Sequence, residues 1–138
     1  MMSNKKAGWK LMRTKNTLYE EVEGRRHNWH FHPEIFPDAT TYMVKVRVSP
    51  GEGHDFHVHP QMDEILYVLR GCAEQWIEDE KVEMEEGDSV YIKSNIAHAT
   101  FNNGEEDLEF LAILFPPEGW EAGTIDLSDR SPYSTYRR

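Results

Sequence analysis

Hydrophobic and polar residues alternate with a period of two along much of the chain. The clearest run is 41–49, in which every second residue from Tyr42 to Val48 is apolar and two of the three between them are charged. Because successive side chains of a strand point to opposite faces, this pattern predicts a half-buried β-strand. Similar stretches predict further strands over 17–22, 27–32, 54–59, 64–70, 72–78, 81–84, 89–93, 96–102 and 108–115.

Short turn sequences separate these stretches. Pro and Gly stand in 49–53, Gly in 85–88, and Asn-Asn-Gly at 102–104, and each is a common turn sequence. The chain carries no internal repeat and no convincing amphipathic helix. Many short strands separated by turns are typical of an all-β sandwich or barrel.

Two of the predicted strands are apolar on both faces. The runs 64–70 and 108–115 contain ILYVL and LEFLAILF, which predicts burial on both sides of the sheet. A small barrel has one interior, so the second apolar face needs a cover. A partner protomer, the N-terminal arm or the C-terminal tail are the alternatives, and we expect a homodimer.

The length of 138 residues fits one domain. Within it we expect an N-terminal arm and edge strands over 1–40, a barrel core over 41–115, and a tail over 116–138. The tail is irregular but keeps several large apolar residues, so it is expected to pack on the barrel.

Composition excludes several classes of protein. The 15 Lys and Arg residues against 25 Asp and Glu give a net charge of −10, which opposes binding to nucleic acid or to an anionic membrane surface. One cysteine, Cys72, excludes an internal disulfide and suits a reducing compartment. Neither a signal peptide nor an apolar run long enough to span a bilayer is recognised. We therefore expect a cytoplasmic protein.

The segment 51–71, GEGHDFHVHPQMDEILYVLRG, carries the strongest chemical pattern. His57 and His59 stand two residues apart, so on a strand their imidazoles project from the same face. Glu64 follows after enough residues for the chain to turn into the next strand, from which its carboxylate can approach the same point. Two imidazoles and a carboxylate are suited to a divalent transition metal.

His98, on the predicted strand 96–102, is a fourth candidate ligand. The complete pattern is Gly51-x5-His57-x-His59-x4-Glu64-x6-Gly71, followed after fifteen residues by Gly87-x10-His98-x3-Asn102. This pattern resembles the two signature motifs of the cupin family, and the resemblance covers roughly 41–115. The second motif departs from the family where Lys93 and Asn95 replace the usual Pro and Gly. Asn tolerates the left-handed backbone that such a Gly supplies, so the departure at Asn95 is mild.

The resemblance implies an all-β double-stranded β-helix, the jelly-roll barrel of the cupins. It also implies that His57, His59, Glu64 and His98 hold one divalent ion inside the barrel. This donor set suits Fe²⁺, Mn²⁺, Zn²⁺, Ni²⁺, Co²⁺ or Cu²⁺, and the sequence does not distinguish among them. Four protein ligands leave two positions of an octahedral ion open, as catalytic sites require.

These observations predict a metal-dependent enzyme that acts on a small organic molecule. Dioxygenase-type oxidation is the leading reaction. Isomerase or lyase chemistry on a sugar or sugar acid is the alternative among enzymes, and a non-catalytic binder of small molecules is the alternative from another class.

Further residues are weaker candidates for the site. His54 lies beside the first motif and is a candidate general acid or base, as is Tyr42. Gln75, Trp76 and Phe101 lie on predicted strands that can line the cavity, so we name them as candidate substrate contacts.

Overall fold

The computed structural model describes residues 8–137. Nearly all regular structure in this range is β-strand, and the helical segments are short: 3₁₀ turns at Thr14–Asn16 and Pro117–Ala122 and one α-helical turn, α1, at Tyr133–Tyr136. The strands are β1 Leu18–Val22, β2 Arg25–Phe31, β3 Tyr42–Val48, β4 Gly53–Val58, β5 Asp63–Arg70, β6 Ala73–Ile77, β7 Glu80–Met84, β8 Ser89–Ile92, β9 His98–Phe101, β10 Leu108–Phe115 and β11 Ile125–Asp126.

The strands form two antiparallel sheets. One has the order β1-β2-β3-β10-β5-β8 and the other β11-β4-β9-β6-β7. The chain crosses between the sheets several times: β4 lies in the second sheet, while β3 and β5 on either side of it in sequence lie in the first. The expected all-β double-stranded β-helix is confirmed.

The main core fills the space between the two sheets. In β3 the buried positions alternate with partly exposed ones along its whole length, as its period-two sequence predicts. Strand β10 lies between β3 and β5 and contributes every second side chain to the same interior. The buried members of this cluster include Val44, Val46, Leu66, Val68, Leu108, Phe110, Ala112 and Leu114.

A second apolar cluster lies on the opposite face of the five-stranded sheet. It contains Phe56, Trp76 and Phe101 from β4, β6 and β9, with Leu127 from the tail. Tyr133 and Tyr136 of α1 pack against it. The C-terminal segment therefore covers this sheet.

The outer face of the six-stranded sheet differs from the expectation of burial. Tyr67 and Leu69 on β5 are 41% and 39% exposed, and Tyr91 on β8 is 52% exposed. Within residues 8–137, the apolar runs of β5 and β10 thus bury only one face, because the tail lies on the other sheet. The first seven residues of the predicted N-terminal arm lie outside the described range.

The turns follow the sequence motifs. Gly71 has a φ of +83°, and an added Cβ would lie 2.8 Å from the carbonyl oxygen of Asp107. Asn95 has a φ of +66°, which confirms that it takes the left-handed conformation at the position where the family usually has Gly. No helix within residues 8–137 has the length and apolar character needed to cross a membrane.

Candidate metal centre

Three strands bring the four predicted ligands together. His57 on β4 is directly opposite His98 on β9, so the pairing of these strands places both imidazoles side by side. His59 follows β4 on the same face, and Glu64 stands on β5 in the facing sheet. His57, Glu64 and His98 are buried and His59 is partly buried.

The ligand atoms converge on one point. One oxygen or nitrogen atom from each of the four side chains lies within 4.8 Å of all the others. The Oε1 atom of Glu64 is 2.8 Å from Nε2 of His98 and 3.4 Å from Nε2 of His59. Atoms at these separations can share one cation.

Hydrogen bonds to the backbone fix the histidine rings. Nδ1 of His57 donates to the carbonyl oxygen of Asp55 at 2.7 Å, and Nδ1 of His98 donates to that of Ile96 at 2.9 Å. The hydroxyl of Thr124 lies 3.1 Å from Nδ1 of His59. With Nδ1 protonated, each neutral ring directs the lone pair of Nε2 toward the centre, as metal-binding imidazoles require.

The residues present fit a divalent cation. Oε1 of Glu64 and Nε2 of His98 are fully buried and neither has a satisfactory hydrogen bond, although they lie 2.8 Å apart. Both are acceptors when Nδ1 of His98 carries its proton, and buried acceptors that face each other are unfavourable. A cation bound between them satisfies both atoms.

The electrostatics of the cluster agree with this interpretation. Burial holds the pKa of His57 well below its usual range, so its ring stays neutral and able to bind a metal. Burial alone would raise the pKa of Glu64, but the adjacent imidazoles of His59 and His98 lower it below its usual range. Burial would lower the pKa of His98, and the interaction with Glu64 outweighs this and raises it. An ionised carboxylate at this point attracts positive charge.

A cavity of about 460 Å³ opens beside the cluster. One wall is apolar and comes mainly from β3 and β10, with Met62 and two tryptophans. The polar part of the lining comes from the β1–β2 hairpin, which adjoins β3 in the same sheet, and from β4 in the other sheet. The apolar lining residues are Trp29, Val44, Val46, Met62, Phe110, Ala112, Leu114 and Trp120, and the polar ones outside the cluster include Glu20, Arg25, His27, His54 and Thr124.

His54 lies in this cavity, although its spacing from His57 would place the two on opposite faces of a regular strand. The pairing of β4 with β9 shifts register between these residues, so both rings face inward and stack at 3.5 Å. Burial, followed by the charge of Arg25, lowers the pKa of His54 to about 2. With so low a pKa, His54 is too weak a base to take a proton near neutral pH, which opposes a role in proton transfer.

The other weak candidates lie outside the lining of this cavity. Tyr42 is buried in the core with its ring 4.9 Å from that of Trp120. Gln75 is fully buried and accepts a hydrogen bond from the Thr100 hydroxyl at 2.6 Å. Trp76 and Phe101 face away from the cavity toward the C-terminal segment. None of the four is among the residues that line this cavity, and Trp76 and Phe101 occupy the outward positions of their strands.

Sequence reasoning missed the polar wall formed by the β1–β2 hairpin. His27 donates from Nδ1 to the carboxylate of Glu20 at 2.9 Å, and Glu20 also accepts a hydrogen bond from Trp29 at 3.0 Å. Arg25 lines the same wall and is 6% exposed. The signal was the period-two spacing of Arg25, His27 and Trp29, but the pairing of β2 with β3 was needed to show that this face is the inner one.

Comparison with known proteins identifies the family. Residues 44–114 match the family described as Cupin domain, and this stretch holds all four residues of the cluster. The chain belongs to the cupin domain family.

Three curated proteins illustrate the breadth of its relatives. The chain is 30% identical to an uncharacterized protein of Methanocaldococcus jannaschii over 90 residues, 65% of this chain and 72% of that one. It is 32% identical to a glucose-6-phosphate isomerase of Thermococcus gammatolerans over 129 residues, 84% of this chain and 64% of the isomerase. It is 31% identical to an oxalate-binding protein of Thermotoga maritima over 81 residues, 59% of this chain and 67% of that protein.

Solved structures show the same fold. A predicted oxalate decarboxylase from Thermotoga maritima matches with a TM-score of 0.69 at 22% identity, over 78% of this chain and 99% of that one. Oxalate decarboxylase from Bacillus subtilis matches with a TM-score of 0.72 at 24% identity, but this chain spans only 31% of its length. At these identities the structures establish the fold and leave the reaction open.

Proposed function

We propose that this protein is a divalent-metal-dependent enzyme that acts on a small organic molecule, with dioxygenase-type oxidation as its leading reaction. The observation that carries the proposal is the convergence of His57, His59, Glu64 and His98 at the edge of a largely apolar cavity. Such a cavity, with a few polar groups beside it, is the usual form of a small-molecule site.

A divalent ion held by these four residues would supply Lewis acidity and, if redox-active, one-electron chemistry with O₂. The protein contributes the rest of the site. The apolar wall of β3 and β10 binds the hydrocarbon part of a substrate and excludes water. Polyhydroxylated sugars fit this wall poorly, because hydroxyls placed against Val44, Val46 and Phe110 would lose their hydrogen bonds.

His27 is the group best placed to accept a proton. Hydrogen bonds with His27 and Trp29 hold the pKa of Glu20 below its usual range, so its carboxylate stays ionised. Glu20 therefore keeps the proton of His27 on Nδ1 and leaves Nε2 with a free lone pair. Burial lowers the pKa of His27 in spite of Glu20, so the ring is neutral and basic at pH 7.

Two other functions have specific support. The glucose-6-phosphate isomerase of Thermococcus gammatolerans favours isomerase or lyase chemistry on a sugar or sugar acid. The oxalate-binding protein of Thermotoga maritima favours a binder without catalysis. The present chain spans about two thirds of each of these relatives, 64% and 67%, so their activities come to it only as alternatives.

A turnover screen tests the proposal. Protein loaded with Fe²⁺ under anaerobic conditions is mixed with air-saturated solutions of diketones, catechols and uronates, and O₂ uptake and product mass are followed. The proposal predicts O₂ uptake with a diketone or catechol and none in the matched Glu64→Gln variant. Conversion of a uronate without O₂ uptake would establish the alternative enzyme, and tight binding without turnover of any compound would establish the binder.

We also propose a cytoplasmic location. Cys72 is the one cysteine of the chain, and its thiol is free. A protein without disulfides suits a reducing compartment. Fractionation of the native source followed by immunodetection would test this.

A further inference from the structure

Arg25 is a buried cation in the wall of the cavity. It begins β2 and is 6% exposed, which is rare for an arginine unless a partner compensates its charge. It lies outside residues 44–114, the stretch that matches the cupin domain. Its presence is therefore a property of this chain's N-terminal hairpin rather than of the matched domain.

The hydrogen bonds of Arg25 are incomplete. Nη1 donates to the carbonyl oxygen of Gly53 at 3.1 Å, which fixes the side chain against β4. Nε is fully buried and has no hydrogen-bond partner. Among residues 8–137, no carboxylate lies within salt-bridge distance of its guanidinium group.

The carboxylates near Arg25 do not supply the missing hydrogen-bond partner. Glu20, which lines the same wall, is held by His27 at 2.9 Å and by Trp29 at 3.0 Å. Glu20 and Glu23 influence Arg25 electrostatically from a distance but form no ion pair with it. A buried guanidinium with an unpaired donor is costly, so its retention in a cavity wall indicates a partner that arrives from solution.

The chemistry of that partner follows from the wall. A guanidinium group binds a carboxylate through two parallel hydrogen bonds, and one arginine balances one negative charge. A doubly charged phosphate would leave one charge uncompensated beside Glu20 and Glu23. Val44, Val46 and Phe110 line the same cavity from the neighbouring strands β3 and β10, so the rest of the ligand is expected to be apolar.

We infer that Arg25 binds the carboxylate of a small organic acid whose apolar part lies along β3 and β10 within the cavity. This inference deepens the proposed function, since it names the substrate class of the same site. The acid would present its reactive part to the histidine cluster from a fixed anchor. Arg25 is then a specificity-determining residue.

A series of probes that share a phenyl ring and differ in the polar group tests the inference by calorimetry. Benzoate, benzamide and phenyl phosphate are titrated into Mn²⁺-loaded protein, and again in the presence of EDTA to separate binding at Arg25 from binding at the cation. We expect benzoate to bind at least tenfold more tightly than benzamide in both conditions. Equal affinities, or no detectable binding of benzoate, would overturn the inference, and a preference for phenyl phosphate would overturn the assignment to carboxylates.

Variants of two adjacent arginines provide the matched comparison. Arg25→Gln should weaken benzoate binding at least tenfold and leave benzamide binding and Mn²⁺ stoichiometry unchanged. Arg26→Gln is the control, because Arg26 pairs with Ser49 and Asp107 away from the cavity. Arg25→Lys keeps the charge and should bind benzoate with an affinity between those of the unmodified protein and Arg25→Gln. If the Gln variant does not fold, the benzoate affinity of Arg25→Lys tests the inference instead. Unchanged benzoate affinity in both Arg25 variants contradicts the inference.

These outcomes are separate from those of the proposed function. If Arg25 binds benzoate but the turnover screen is negative, the anchor stands and the enzyme proposal fails. If oxidation occurs but benzoate binding is independent of Arg25, the enzyme proposal stands and the inference about Arg25 fails.

Discussion

The backbone carbonyls of Asp55 and Ile96 set the tautomers of His57 and His98 by accepting hydrogen bonds from their Nδ1–H groups. This leaves the Nε2 lone pairs for the centre of the cluster. His27 is held in the same way, except that the acceptor of its Nδ1–H hydrogen bond is the carboxylate of Glu20 rather than a backbone carbonyl. His27 lies in the cavity lining but outside the cluster of four ligands, so its Nε2 is not needed to hold a cation and can take a proton.

The pH dependence of turnover tests this role of His27. Because burial depresses its pKa below 6.5, His27 is a neutral base at pH 7 and becomes protonated only at lower pH. We expect kcat/KM to fall tenfold per pH unit on the acid side of that pKa. His27→Gln should lower kcat by about 10²-fold and remove this acid limb, since general-base catalysis is worth roughly 10²- to 10⁴-fold.

His54→Phe is the matched control for that experiment. Phe preserves a ring that can stack on His57, and with a pKa of about 2 the native His54 does not titrate in the range measured. In the His54→Phe variant, the fall of kcat/KM at acid pH should match that of the unmodified enzyme. Loss of the limb in the His54 variant, or its persistence in the His27 variant, would contradict the assignment.

At the scale of elements, the C-terminal segment is fixed to the five-stranded sheet by one buried carboxylate. Glu74 on β6 accepts hydrogen bonds from Arg137 at 2.8 Å and from the Trp76 indole at 2.6 Å. Arg137 also stacks on the ring of Phe101 at 3.8 Å. The tail thereby shields the apolar cluster on the outer face of the sheet.

Removing this carboxylate should loosen the tail. Glu74→Gln is expected to cost about 1.5 to 3 kcal/mol in unfolding free energy at pH 7, the usual range for a hydrogen bond to a charged group. Burial opposes ionisation of Glu74, but Arg137 and Trp76 lower its pKa below 4.5. Its contribution is therefore present above pH 4.5 and is lost as pH falls through the folded-state pKa.

Urea denaturation at pH 7 and pH 3.5 measures both effects. Glu83→Gln is the control, because Glu83 stands opposite Glu74 on β7 and is exposed. The difference between the Glu74 variant and the unmodified protein should shrink at pH 3.5. An equal difference at the two pH values would show that charge is not the cause.

The elements were largely predictable from the sequence, and the relation between them was not. Period-two alternation located β3 and its neighbours because one face of each strand is buried. It could not show that register shifts between His54 and His57 bring both rings inward, since such a shift depends on the partner strand. It also could not assign the inner face of β2, where Arg25 lies, because His27 and His30 give both faces a similar polarity.

At the scale of the whole molecule, an apolar surface remains uncovered by the part of the chain that the structure describes. On the outer face of the six-stranded sheet, Leu111 stands opposite Tyr67 and Ile113 opposite Ile65. Together with Leu69 and Tyr91 these residues form a contiguous apolar face, which monomeric proteins usually avoid. We propose that a second copy of the chain covers it.

Light scattering tests the proposed dimer. The unmodified protein should have the mass of two chains at micromolar concentration, and Tyr67→Lys should have the mass of one. Val82→Lys is the control, because Val82 is 42% exposed on β7 of the other sheet. A monomeric unmodified protein would refute the dimer.

The central claim is that four side chains from β4, β5 and β9 and the segment after β4 hold one divalent cation. Equilibrium dialysis against Mn²⁺ followed by elemental analysis measures this most directly. One equivalent of metal should remain with the unmodified protein, and less than a tenth of that should remain with Glu64→Gln or His98→Ala, provided both variants keep their circular dichroism spectra. Failure of the unmodified protein to retain any divalent metal, or full retention by both variants, would contradict the account.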